Sequence, residues 1–171
     1  MTKPERRKSP RLASHDYSSP GAYFITVCTH NKECTLSRIA VGAIHESPQP
    51  RLTECGRITE RFINSIPDHL VASIDKYVIM PNHIHLIVII PGHDEMRAIH
   101  ESPLPYRSTV SKIIGFIKMN SSKEIHRLYG NTPVWQRGFY DHVIRSQHDY
   151  EVISRYITEN PYKWQKDLFF R

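Results

Sequence analysis

The chain has 171 residues, 39% of them hydrophobic and 23% charged, which is enough apolar material for one core and too balanced for a disordered or fibrous protein. Its 23 Lys and Arg outnumber 17 Asp and Glu, and the formal charge of +6 favours a polyanionic partner. Cys28, Cys34 and Cys55 form no C-x-x-C pair, no apolar run approaches the length of a membrane span, and no hydrophobic stretch follows the basic N-terminus. A disulfide scaffold, a zinc knuckle, a membrane protein and a secreted one are therefore not expected, and a reducing cytoplasm is the expected location.

The excess charge is partly local. Lys3, Arg6, Arg7, Lys8 and Arg11 face only Glu5, which predicts a basic arm over about residues 1–20, either solvated or laid against phosphates. After a turn signal at Ser19 and Pro20, Tyr23, Ile25 and Val27 alternate with Phe24, Thr26 and Cys28, the pattern of a strand. Two shorter strand-like pieces follow at residues 36–41 and 51–53. Cys55, Ile58, Phe62 and Ile66 then recur at helical spacing, and Pro67 is expected to close that helix.

Residues 73–80 and 83–90 read as two strands separated only by Pro81 and Asn82, which makes them antiparallel neighbours. In the second, "HIHLIVII", side chains alternate between faces, so His83, His85, Ile87 and Ile89 share one face and Ile84, Leu86, Val88 and Ile90 the other. A strand apolar on both faces beyond a polar pair belongs in the middle of a sheet. Val110, Ile113, Ile114 and Ile117 mark a second helix with Lys112, Lys123 and Arg127 outside, and a strand of about ten residues is expected over 135–144.

The last helix is predicted to begin at "SQHD", where Ser146 and Asp149 have capping-box spacing. At about 100° per residue, Asp149, Val152, Ile153, Tyr156 and Asn160 form the inward stripe, with Glu151, Ser154, Arg155 and Thr158 opposite and Pro161 ending the helix. Burial accounts for the aliphatic residues of that stripe but gives no reason for an asparagine in it. The order of elements predicts an α+β fold, a ferredoxin-like antiparallel sheet with helices mainly on one face, in a single domain over residues 1–171.

"AIHESP" occurs at residues 43–48 and again at 98–103, with nothing flanking it repeated. This is no repeat architecture. Both copies fall between predicted elements and read as duplicated inserts in surface loops near 42–50 and 92–106, with no catalytic role for His45 or His100.

H-x-H on a strand aims two imidazoles at one point, an arrangement that metals use and that also arises by chance in a short match. No H-E-x-x-H and no cysteine ligand set accompanies it. "YVIMPNHIHLIVI" resembles the metal-binding strand of the HUH single-strand endonucleases, in their single-tyrosine transposase branch. "VWQRGFYDHVIRSQHDYEVISRYITENPYKW" resembles one subgroup of these, the REP-associated tyrosine transposases, and "RLASHDYSSPGAYFITVCTHN" adds to the likeness. The resemblance covers most of the chain and leaves the two "AIHESP" loops unmatched.

The resemblance implies that Tyr156 is the nucleophile, that His83 and His85 are metal ligands, and that Asn160 stands at the place of the third ligand, where many insertion-sequence relatives have glutamine. It implies Mg²⁺ or Mn²⁺, a 5′-phosphotyrosine intermediate and a free 3′-hydroxyl, formed on single-stranded or hairpin DNA of repeated palindromes, by a monomer or a homodimer. Three neutral ligands cage magnesium poorly, so weak binding is expected in DNA-free protein, with manganese serving better. Arg6, Arg7, Lys8 and Arg11 are candidate phosphate contacts, and Trp135, Arg137 and Tyr140 candidate base contacts. His142 and Arg145 lie near the last helix without an assigned role. Two other readings stay open: a hairpin-binding protein without catalysis, and a metal hydrolase, for which no general-base carboxylate accompanies the histidines.

Overall fold

The computed structural model describes residues 19–39, 50–92 and 109–170. Arg6, Arg7, Lys8 and Arg11 of the basic arm, both copies of "AIHESP" and Val41 lie outside the described residues. The elements in chain order are β1 (Gly21–Cys28), β2 (Ser37–Arg38), β3 (Arg51–Leu52), α1 (Glu54–Asn64), α2 (Ile66–His69), β4 (Ser73–Ile79), β5 (His83–Ile90), α3 (Thr109–Tyr129), β6 (Tyr140–Ile144) and α4 (Gln147–Glu159). A 3₁₀ turn over Asn160–Lys166 continues from α4, with Pro161 in its first turn. No helix among the described residues is long and apolar enough to cross a membrane.

Four strands form one antiparallel sheet in the order β4-β5-β1-β6, and β2 and β3 pair separately. The predicted antiparallel α+β architecture is thus the observed one. β5 is central, as its two-sided apolar pattern requires. Its Ile84, Leu86, Val88 and Ile90 join Ile63 and Ile66 and the α3 residues Val110, Ile113, Ile114 and Ile117 in the main core. Each fully buried aliphatic side chain there contributes roughly 1.5–3 kcal/mol from its removal from water. The other face of β5 carries Ile87, packed against Ile153 and Ile157 of α4. Helices α1 and α3 therefore lie on one face, and α4 crosses the other.

Local chemistry sets the boundaries. Thr53 caps α1 by accepting from Gly56 N at 3.2 Å while donating to Thr35 O and Leu36 O. Gly56 is required by close approach, since a Cβ there would sit 2.1 Å from Leu36 O. Pro67 does not end the structure expected over 53–67. It occupies the first turn of α2, where a residue without an N–H costs nothing.

In β4 the register shifts between Ile74 and Lys76, so that one extra residue opposes β5. This places Tyr77 and Ile79 in the main core and Val78 in the α4 cluster. Asp75 and Lys76, at the bulge, reach α4: Tyr150 donates to Asp75 Oδ2 at 2.6 Å, and Lys76 Nζ to Ser154 Oγ at 2.8 Å.

Two expectations are corrected. The strand expected over 135–144 is half that length, because Gly138 adopts φ +84° and Trp135 makes only an isolated bridge to Thr29. On α4, Val152 is 51% exposed and the buried positions are Ile153 and Ile157. The inward stripe is thus rotated by part of a turn, with Tyr156 at its margin, because the aliphatic pair spaced by four residues outweighs the lone valine.

Candidate active site

The histidine end of β5 builds the site. His83 and His85 face the α4 side as strand alternation dictates, opposite Cys28 and Thr26 of β1. Both are buried, and their Nε2 atoms lie 3.0 Å apart. The outer nitrogen of each ring has its own partner: His83 Nδ1 is 2.9 Å from Asn82 Oδ1, and His85 Nδ1 is 2.8 Å from Thr26 Oγ1. Such contacts orient imidazoles that act as metal ligands. Phe24 stacks on His85 and meets Tyr156 edge-on, while Phe169 lies against His83.

Helix α4 brings in the tyrosine. Ser146 fixes its start by accepting from Asp149 N at 3.1 Å, the predicted cap. Two turns on, the Tyr156 hydroxyl lies 3.4 Å from His85 Nε2 and donates to Asp167 Oδ2 at 3.3 Å. Asn160 Nδ2 donates to the same Asp167 oxygen at 2.8 Å, and Asp167 Oδ1 accepts from Phe169 N. The ligand atoms of His83, His85 and Asp167 all lie within 4.8 Å of one another.

The electrostatics follow from burial. Loss of solvation, aided by the Lys32 charge, pushes the His83 ring down to about 3, and burial beside His83 holds His85 well below its ordinary value. Both rings are therefore neutral, the form that ligates metals. Burial and the Asp167 carboxylate push the Tyr156 phenol up to about 12. The group thus holds two lone-pair donors and a carboxylate around a phenol that resists ionisation, a set that suits a divalent cation. Asn160 Oδ1 strengthens the fit, because it is buried without a hydrogen-bond partner.

Tyr156, His83, His85 and Asn160 are thus brought together in one chain. Asp167 joins them, although the sequence reading passed over it; its only signal is a carboxylate seven positions beyond Asn160. A carboxylate thus stands beside the neutral groups that the sequence singled out. Trp135 is also corrected: it is buried and its Nε1 donates to Ser121 Oγ at 2.9 Å, so it packs as a core residue and presents no open ring. Arg137 and Tyr140 are exposed. His142 Nε2 lies 2.9 Å from Asp149 Oδ2.

No family model matches the chain. An uncharacterized protein of Haemophilus influenzae is 33% identical over 175 residues, spanning 96% of this chain and 93% of that protein. A second Haemophilus influenzae protein, provisionally named a REP-associated tyrosine transposase, is 33% identical over 85 residues, covering 50% of this chain and 47% of its own. A solved REP-associated tyrosine transposase bound to a REP hairpin superposes with a TM-score of 0.57 at 22% identity, covering 90% of this chain and 73% of that one. That likeness assigns the fold, a transposase fold of antiparallel sheet and crossing helices. The chain thus shares the fold of a solved REP-associated tyrosine transposase, and half of it is similar in sequence to a protein given that provisional name.

Proposed function

We propose that the chain is a metal-dependent single-strand DNA transposase and endonuclease that cleaves and rejoins DNA beside palindromic hairpins through Tyr156. The observation that carries this reading is the phenol facing the histidine pair, 3.4 Å from His85 Nε2, with the Asp167 carboxylate on its other side. The hairpin in the solved structure of the relative supports the choice of DNA form.

In the proposed reaction the Tyr156 oxygen attacks the scissile phosphorus in line. The bond from phosphorus to the 3′-oxygen breaks, and the departing oxygen takes up a proton to become a free hydroxyl. Asp167 Oδ2, already the acceptor for the phenolic hydrogen, is placed to receive that proton. A tyrosine whose ordinary pKa is about 10 needs such help, and more so when burial has raised it. His83, His85, Asp167 and Asn160 would hold a divalent cation, Mg²⁺ or Mn²⁺, which supplies positive charge to the scissile phosphate and to the forming phenolate. The product is a 5′-phosphotyrosine, and attack by a 3′-hydroxyl reverses the step without ATP because the bond energy is retained. All these groups come from one chain, which supports a site that works within a single copy. Arg137 and Tyr140 are the exposed candidates for contact with DNA, together with the basic arm.

The test is a hairpin oligonucleotide with a single-stranded flank, incubated with Mn²⁺ and resolved on a denaturing gel. A protein–DNA adduct is expected from the native chain and none from Tyr156→Phe. Adduct formation by Tyr156→Phe would refute the assignment, and hairpin binding without cleavage under any divalent metal would favour a binding protein without catalysis.

A further inference from the structure

The two histidines are held by unlike partners. Asn82, fully buried between β4 and β5, gives its Nδ2 hydrogens to two backbone carbonyls, Lys32 O at 3.2 Å and Phe169 O at 2.7 Å. A carbonyl oxygen only accepts, so both contacts require the amide nitrogen on that side, and Oδ1 is left facing His83 Nδ1 at 2.9 Å. An amide oxygen also only accepts. His83 Nδ1 must then carry the hydrogen, and in a neutral ring Nε2 is left as a lone pair.

Thr26 sets no such condition on His85. A hydroxyl donates or accepts, and at 2.8 Å from His85 Nδ1 it satisfies either tautomer. The other side of the ring decides between them. His85 Nε2 is 3.0 Å from His83 Nε2, and two lone pairs do not face each other at that distance unless a hydrogen or a cation lies between. In cation-free protein the hydrogen must come from His85, whose Nε2–H donates to His83 while Thr26 donates to Nδ1.

We propose that Asn82 locks His83 in the Nδ1–H form, whereas Thr26 lets His85 change tautomer, so that the pair closes on itself as N–H···N or opens two lone pairs toward a cation. On opening, the His85 ring loses the Nε2 proton and gains one at Nδ1, its charge stays zero, and Thr26 turns from donor to acceptor. Asn82 and Thr26 are positioning residues, because neither meets the phenol. The opening half of the inference rests on the proposed metal role; the tautomers of the cation-free protein do not.

The test is long-range ¹H–¹⁵N correlation on histidine-labelled, metal-free protein. His83 is expected to show a protonated Nδ1 and a bare Nε2, and His85 the reverse. Titration with Zn²⁺, a diamagnetic probe, should convert His85 to the Nδ1–H form and leave the His83 tautomer unchanged. Thr26→Val, which removes the acceptor, should weaken Mn²⁺ binding by about 10–100-fold, and Thr26→Ser should restore it. A hydrogen on His83 Nε2 in the metal-free protein, or native Mn²⁺ affinity in folded Thr26→Val, would overturn the inference. Should Thr26→Val fail to fold, the native protein's spectra decide alone. None of these readouts involves DNA, so failure of the cleavage reaction would be seen separately.

Discussion

Strand β5 serves two unlike neighbourhoods. Toward α1 and α3 it offers Ile84, Leu86, Val88 and Ile90 to a continuous aliphatic core. Toward α4 the cluster is smaller: Ile87, Ile153 and Ile157 are its buried apolar residues, half-buried Phe24, Val78, Ile89 and Ile144 pack around them, and Tyr150 with Asp75 and Lys76 with Ser154 add polar contacts. Because strand side chains alternate, one segment anchors the fold with one set of residues and turns ligating groups toward α4 with the other. The lesson is that stability and proposed chemistry are divided by strand face. The helix carrying Tyr156 is the lightly held one, and its amides are expected to exchange with solvent at a lower opening free energy than those of α3.

Substitutions on the two sides should separate accordingly. Leu86→Ala in the main core should cost about 2–5 kcal/mol in chemical denaturation, the largest effect, because a cavity is left among close-packed neighbours. Gly56→Ala should cost about 1–3 kcal/mol, since its new methyl must displace the Leu36 backbone. On the α4 side, Ser146→Ala removes the cap and should cost about 1 kcal/mol, with faster hydrogen exchange confined to the first turns of α4.

Tyr150→Phe should have the smallest effect on global stability, below about 1 kcal/mol for one exposed hydrogen bond, yet lower adduct yield by loosening the tyrosine helix. The Asp75 carboxylate raises the Tyr150 phenol above its ordinary value. The contribution of that bond is therefore fully present below about pH 10 and lost as pH climbs through the raised value. Protection factors of α4 amides, which correct for base-catalysed intrinsic exchange, should fall across that alkaline range in the native protein and stay level in Tyr150→Phe. Equal sensitivity of both sides to these changes would break the contrast.

Much of this division was legible in the sequence. The period-two pattern of "HIHLIVII" gave both faces of β5 and its central place, and Ser146 marked the start of α4. Residues whose role depends on distant chain were not legible. Gly138 halves a strand through its positive φ, and Pro67 opens a helix where its pattern suggested an end. The inward stripe of α4 depends on which aliphatic pair finds Ile87. Asp167 reaches the cradle only because the 3₁₀ turn after Asn160 folds back on it, a path that no residue spacing encodes. Asn82 read as a turn residue, and its buried contacts to Lys32 and Phe169 come from parts of the chain far away in sequence.

The most direct measurement is mass spectrometry of the protease-digested adduct formed on a hairpin oligonucleotide with Mn²⁺. The account predicts a single modified peptide, with the nucleotide joined through its 5′-phosphate to Tyr156. Attachment to Tyr150, Tyr162 or any other residue, or cleaved DNA with no protein-linked strand, would contradict it.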